Sequence, residues 1–379
     1  MKMIISAGGT GGHIYPALAI IKKFQEKDKN FEVLYIGTHN RMETKIVPDH
    51  NIPFESIKIY GFSKKDIIRD IKNVGYLINS YNKCVNIMKE FKPDIVVGVG
   101  GYVTLPVLMA AKKLNIKCVI HEQNSIPGKT NKFLSKSVNA VYTSFKASDK
   151  YFKNGVNIVY SGNPSGDNVK YLKPIKKETL GFNKDKKLVI ITSGSLGSSG
   201  LHGKLLDYLK LASKDNYEIL YLTGNASYEE FKKNKLGSNI KVLPYLDNLA
   251  ALFKSADLVI SRAGAGTISE LLMAKVPSIL IPSPNVANNH QYYNALDLSN
   301  EELAIMIEEN KLDSKDLHKL VNELLNNNDK YMAIKNNLKN RKDTYSSDII
   351  YNSIKEIINN DKWFIKIWRS IRRCIIRAL

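Results

Sequence analysis

Gly8-Gly9-Thr10-Gly11-Gly12-His13 follows the short apolar run Met3-Ile4-Ile5-Ser6-Ala7 and precedes a helical spacing of Ile14, Ala17, Leu18, Ile21 and Phe24. Strand, glycine turn and helix in that order let backbone approach a ligand closely. The first helical turn adds unpaired N–H groups and the positive end of the helix dipole, which suit phosphate. His13 supplies what a plain dinucleotide loop lacks, a side chain that titrates near neutral pH. It reads as a proton acceptor at the ligand, or as a cap on the helix that follows.

Outward from this turn, strand-like runs alternate with amphipathic stretches of helix length, the pattern of parallel α/β units. The front series is Met3–Ser6, Val33–Ile36, Ile95–Val99, Lys117–His121 and Ala140–Thr143. A segment rich in Lys and Pro, 170–177, reads as a linker. The second series is Leu188–Thr192, Glu218–Thr223, Ile240–Leu243, Leu258–Ser261 and Ser278–Ile281. Each series opens with strand, glycine turn and helix. Two doubly wound Rossmann-like domains facing a cleft are expected, with boundaries at 1–160 and 161–345. Residues 346–379 are expected to form a return helix and a basic amphipathic tail.

At 379 residues, the chain is long enough for two cores. Three scattered cysteines (Cys84, Cys118, Cys374) form neither a disulfide framework nor a zinc pattern, which points to a reducing compartment. No apolar run has the length of a membrane span, and the start does not read as a signal peptide. A cytoplasmic protein is expected. The net charge of +20 is unevenly placed. Lys plus Arg outnumber Asp plus Glu by 24 to 12 over residues 1–160, 26 to 24 over 161–361 and 6 to 0 over 362–379. One face is therefore expected to meet an anionic surface. No aromatic–basic motif of a nucleic-acid module accompanies the charge, so nucleic acid is not an expected partner.

Further polar clusters fall at strand ends, where open parallel sheets bind ligands. They include Gly98-Val99-Gly100-Gly101-Tyr102-Val103-Thr104 and His121-Glu122-Gln123-Asn124 with Pro127-Gly128. Glu122 could brace a backbone turn, and Asn124 is the better ligand candidate because an amide both donates and accepts. Ser193–Ser198 could cradle a diphosphate; it fails as a P-loop in both spacing and the missing metal-binding hydroxyl. In Ser261-Arg262-Ala263-Gly264-Ala265-Gly266-Thr267-Ile268-Ser269-Glu270 a strand enters a glycine turn and a helix. Glu270, placed here on the first helical turn, either accepts from ribose hydroxyls or complements the helix dipole. The run Asn288–Ala295, with His290, Gln291 and Asn294, suits hexose hydroxyls.

Taken together these clusters resemble the MurG family, the membrane-associated N-acetylglucosaminyltransferases of glycosyltransferase family 28. The matching elements are GGTGGH at 8–13, GVGGYVT at 98–104, HEQNSIPGKTN at 121–131, SGNP at 161–164, SGSLG at 193–197, SRAGAGTISE at 261–270 and NHQYYNA at 289–295. The resemblance implies a GT-B fold and inverting transfer of GlcNAc from UDP-GlcNAc to the C4 hydroxyl of MurNAc in undecaprenyl-diphospho-MurNAc-pentapeptide (lipid I), giving lipid II. By position it implies that Thr10, Gly11, Gly12 and Asn124 touch donor or acceptor. Ser195 and Gly264, Ala265, Gly266 and Thr267 would meet the diphosphate. Leu246 and the backbone through Ile268 and Ser269 would hold uracil, Glu270 the ribose, and His290, Gln291 and Asn294 the GlcNAc. Two positions depart from the pattern: Gly166 stands where the family has arginine, and His202 where it has asparagine. Loss of that cation is expected to weaken donor binding unless Lys170 or Arg262 stands in for it. Competing readings are a non-catalytic UDP-sugar binder and a glycolipid glycosyltransferase of the same fold.

His13 is the expected base for the incoming hydroxyl. No Asp-x-Asp pair ends a strand, so neither metal nor cofactor is expected. The stretch 362–379 places Phe364, Trp368, Ile371, Ile375 and Leu379 on one helical face among six cations, which suits an interfacial helix on anionic lipid. A peripheral position on the cytoplasmic face of the membrane is expected. Leu77, Ile78, Tyr81, Val85 and Met88 are expected to be core.

Overall fold

A computed structural model describes residues 1–61, 67–192, 199–326, 329–342 and 345–359. The chain separates into two compact bodies, Met1–Pro164 joined by the chain after Thr344, and Ser165–Asp343. Among the described residues no helix is long and apolar enough to cross a membrane.

In the first body the strands are β1 (Lys2–Ala7), β2 (Glu32–Thr38), β3 (Phe54–Ile57), β4 (Ile95–Gly100), β5 (Lys117–Glu122), β6 (Ala140–Thr143) and β7 (Ile158–Tyr160). They pair in parallel in the order β3-β2-β1-β4-β5-β6-β7. Strand side chains alternate, so both faces must be covered. Met3, Ile5 and Ala7 enter a core with Ile14, Ala17, Ile21 and Phe24 of the helix Gly11–Lys27. Ile4 enters the opposite core with Ile36, Val96 and Ile120.

The second body holds β8 (Leu188–Thr192), β9 (Glu218–Leu222), β10 (Ile240–Leu243), β11 (Leu258–Ser261), β12 (Ser278–Leu280) and β13 (Ile305–Met306). Their order is β10-β9-β8-β11-β12-β13, again parallel. Both sheets reverse direction next to their first strand. Such reversals open a crevice beyond the strand ends, so β1 beside β4 and β8 beside β11 are where ligands belong.

The domain boundaries differ from expectation for identifiable reasons. Ser161 and Gly162 donate to Thr143 O at 3.0 and 3.1 Å, which keeps them in the first body. A helix over 346–359 also belongs there: Ile350, Ile354 and Ile358 fill the core beside Phe24, Lys23 bonds Asp348 at 3.1 Å, and Tyr142 donates to Ser353 at 3.0 Å. Each buried isoleucine contributes about 1.5–3 kcal/mol, enough to dock the returning helix. The segment 170–177 is not a free linker. Ile175 N donates to Ala251 O, Ser255 Oγ to Ile175 O, and Lys254 Nζ to Leu172 O, so it is laid onto the second body.

In the helix Ile67–Phe91, Cys84 and Met88 are buried and Leu77, Tyr81 and Val85 pack against the core. Ile78 is not core: Ile71, Val74 and Ile78 are 67%, 46% and 54% exposed and share a stripe spaced i, i+3, i+7. The basic tail at 362–379 lies outside the described residues.

Candidate active site

At the reversal of the first sheet, the glycine turn after β1 meets the end of β4. The register slips there: Ser6 faces Gly98 and Ala7 faces Gly100, so Val99 is an extra residue. A bulge of this kind re-aims backbone next to a site. Gly8 N donates to Gly100 O at 3.2 Å. Gly100 has φ +120°, and a Cβ there would stand 2.6 Å from His13 Cδ2 and 2.9 Å from Nε2. Only glycine leaves room for the imidazole.

His13 Nδ1 lies 3.1 Å from Gly8 O. A carbonyl oxygen only accepts, so Nδ1 carries the proton and Nε2 is the basic nitrogen. His13 and Gly11 are half-buried, while Thr10 and Gly12 are exposed. The helix-cap alternative fails, because His13 sits inside the helix Gly11–Lys27 and bonds backwards to the turn.

The corner after β5 is more structural than its polarity suggested. Buried His121 donates from Nε2 to Gly162 O (3.0 Å) and accepts at Nδ1 from Gln123 Nε2 (2.9 Å). Burial pulls its titration down to about 4, with the neighbouring His13 adding to the effect, so it stays neutral. Gln123 also donates to Val99 O at 2.6 Å, fixing the bulge. Glu122 accepts from Asn124 N and Gly128 N at 3.0 Å and from Asn131 Nδ2 at 2.9 Å. Burial raises its carboxyl above the usual range while these donors oppose the shift. Glu122 thus braces the loop, and half-buried Asn124 is what the loop presents.

Glu43, which sequence reasoning missed, is fully buried beside the glycine turn. It accepts from Thr38 N (3.1 Å), Thr38 Oγ1 (2.5 Å) and Gly9 N (3.2 Å). The available signal was topological: in a doubly wound sheet the end of β2 lies beside the β1 turn, so an acid just past Thr38 merited notice.

In the second body β11 runs into the helix Ala265–Ala274, whose N-cap Gly264 makes no side-chain cap. Ile268 N is the first to bond back, to Gly264 O at 2.9 Å. The N–H groups of 264–267 therefore have no partner within the helix, which makes an anion site of the turn. A Cβ on Gly266 would meet nothing within 4 Å. Glu270, one turn on from Gly266, shares that open face.

Glu270 lies beyond the first helical turn, which holds no acid, so complementing the dipole does not explain it. The residue is half-buried, and burial raises its carboxyl to about 7. Among the described residues no hydrogen bond or ion pair engages it. A recessed acid of this kind suits a ligand's hydroxyls. Ile268 is core, and Ser269 Oγ is spent on Gly266 O at 2.6 Å, so any part they play is through backbone.

Arg262 is not available to a diphosphate. It is buried, bonds Ile281 O at 3.1 Å and pairs with Glu309 at 2.6 Å. Lys170 is exposed. Gly166 is closed to any side chain: a Cβ would lie 2.7 Å from Ser269 O, so the 164–167 turn packs directly on the Glu270 helix. His202 packs edge-on to Phe231 at 5.2 Å, and burial lowers its titration.

Asn294 corrects an expectation. It is completely buried and donates to Ala263 O at 3.2 Å, so it holds the turn and cannot touch a sugar. Gln291 is half-buried and accepts from Ser283 N at 2.9 Å; His290 Nδ1 donates to Ala287 O at 2.8 Å. Leu246 sits half-buried in the loop after β10. Ser195 lies outside the described residues. No three His, Cys, Asp or Glu side chains converge as a cation site among the described residues.

Residues 3–143 match the glycosyltransferase family 28 N-terminal domain, and residues 188–349 match the family 28 C-terminal domain. A Bacillus pumilus protein named UDP-N-acetylglucosamine–N-acetylmuramyl-(pentapeptide) pyrophosphoryl-undecaprenol N-acetylglucosamine transferase is 40% identical over 362 residues, covering 94% of this chain and 99% of its own. Its namesake from Bacillus subtilis is 41% identical over 332 residues, covering 86% and 91%. The crystal structure of Acinetobacter baumannii MurG is similar with a TM-score of 0.75 and 28% identity, covering 94% of this chain and 99% of that one. The Staphylococcus aureus MnaA–UDP structure shares the fold at a TM-score of 0.68 and 17% identity, covering 94% and 97%.

Proposed function

From the premise that the chain belongs to glycosyltransferase family 28, a GT-B enzyme family, we propose that it transfers GlcNAc from UDP-GlcNAc to undecaprenyl-diphospho-MurNAc-pentapeptide. The observation that carries the reading is His13, tethered by Gly8 O and walled by Gly100 at the reversal of the first sheet. In an inverting displacement the C4 oxygen of MurNAc bonds to the anomeric carbon as the bond from that carbon to the diphosphate oxygen breaks. The electron pair leaves with UDP, and the hydroxyl proton passes to His13 Nε2. The N–H groups of 264–267 stabilise the charge growing on the diphosphate. Glu270 accepts from the ribose, while Gln291 and His290 face the hexose and Asn294 keeps the turn in place.

A lipid-linked acceptor puts the enzyme at a membrane surface, and we place it on the cytoplasmic face. The exposed stripe of Ile71, Val74 and Ile78 and the excess of cations over residues 1–160 support contact with anionic lipid. Closed Gly166 is the observation favouring the alternative, a UDP-sugar binder without transfer. One assay separates them: labelled UDP-GlcNAc with a soluble lipid I analogue. His13→Ala is expected to lower transfer at least about 10²-fold and leave UDP affinity unchanged. Near-normal turnover in that variant rejects the base, and binding without transfer in the unmodified protein rejects the enzyme.

A further inference from the structure

We propose that Glu43 is a positioning residue that acts on His13 through the peptide joining Gly8 to Gly9. The proposal rests on His13 being the base. Gly9 N donates to Glu43 Oε2 at 3.2 Å, and His13 Nδ1 donates to Gly8 O at 3.1 Å. These are the N–H and C=O of one peptide unit. In a trans peptide they point in opposite directions, so carboxylate and imidazole face each other across a single conjugated group.

The unit is held on every side. Gly8 N donates to Gly100 O, and a Cβ on Gly101 would stand 2.5 Å from Gly8 O. Gly8 itself packs against the Glu43 carboxylate. Thr38 secures the other carboxylate oxygen through both N and Oγ1. Glu43 is completely shielded from solvent, so its charge is not screened by water before it reaches the peptide. A carboxylate on the N–H raises the electron density of the carbonyl, which then holds Nδ1–H more firmly. This orients the ring and stabilises the positive charge that appears when Nε2 takes the hydroxyl proton. The Nδ1 proton stays on the ring throughout. His121, the other imidazole near His13, is held neutral and does not oppose that charge.

Glu43→Gln tests this specifically. The amide oxygen can keep both Thr38 bonds, while the NH₂ group then meets Gly9 N–H donor to donor. The expected result is a kcat lowered roughly 10- to 100-fold, the scale of outer-shell partners, with the KM for UDP-GlcNAc within about twofold, because a loop-shaping role alone would disturb both. In a double-mutant cycle, Glu43→Gln is expected to add nothing to the residual rate of His13→Ala. Independently, ¹⁵N-histidine NMR of the unmodified protein is expected to show His13 with Nδ1 protonated. That measurement decides the matter if Glu43→Gln does not fold. Unchanged kcat, additive losses or an Nε2–H tautomer overturns the proposal while leaving the base intact; normal turnover in His13→Ala removes the base itself.

Discussion

Gly100→Ala probes the tightest contact at the candidate base. The new methyl would stand 2.6 Å from His13 Cδ2 and 2.9 Å from Nε2. Carbon atoms rest at about 3.5–4.0 Å, so the ring must retreat by about 1 Å. That movement pulls Nδ1 from Gly8 O, to which it is now 3.1 Å away. A 1 Å misplacement of a reacting group costs about 10²-fold in rate, or about 2.7 kcal/mol of barrier. Alanine at φ +120° adds backbone strain of roughly 1–3 kcal/mol. For a body of this size each kcal/mol lowers Tm by about 2–4 °C. The assay is GlcNAc transfer to a soluble lipid I analogue, with kcat and KM for UDP-GlcNAc measured separately and Tm followed by calorimetry. A fall in kcat near 10²-fold with little change in KM is expected. A kcat within threefold of normal at unchanged Tm would refute the placement of the ring.

Glu270, raised to about 7, should make donor binding depend on pH. Ribose hydroxyls donate best to the ionised carboxylate, so UDP affinity should climb from pH 6 to 8 with proton release, seen by calorimetry in buffers of different ionisation enthalpy; a flat profile, or one that survives Glu270→Gln, counts against the ribose contact. The same group makes stability fall as pH rises from about 4.5 to about 7, where the folded protein retains a proton the unfolded chain has lost, and the loss persists at higher pH. Gly166→Arg should not restore a phosphate contact: its Cβ collides with Ser269, so overpacking of about 1–3 kcal/mol and weaker UDP binding are expected, and tighter binding at unchanged Tm would contradict this. Truncation after residue 361 removes six cations, each worth about 1 kcal/mol near an anionic surface, and should weaken binding to phosphatidylserine vesicles at least about tenfold; equal binding would dismiss the tail as an anchor.

The strands that carry the site were legible because buried parallel strands read as apolar runs bounded by glycine. The strands β3, β7 and β13 were not: each is a short strand at a sheet edge, where half-buried positions replace the fully buried apolar run. A similar limit misplaced the linker, since Lys and Pro composition cannot reveal that Ile175 and Leu172 bond to a neighbouring helix.

The order of motifs by itself determined the α/β class, two sheets each opening on a glycine turn, and a histidine, an asparagine and a glutamate brought to strand ends. Glycine spacing and apolar periodicity are local properties, so they survive in a linear reading. Only the tertiary structure decided which polar residues are free to act. It buried Asn294 behind the turn, paired Arg262 with Glu309, closed Gly166 against a helix backbone and set Glu43 under the peptide that holds His13. Those assignments depend on contacts between segments tens of residues apart, where desolvation and packing, rather than residue type, determine what a side chain can do.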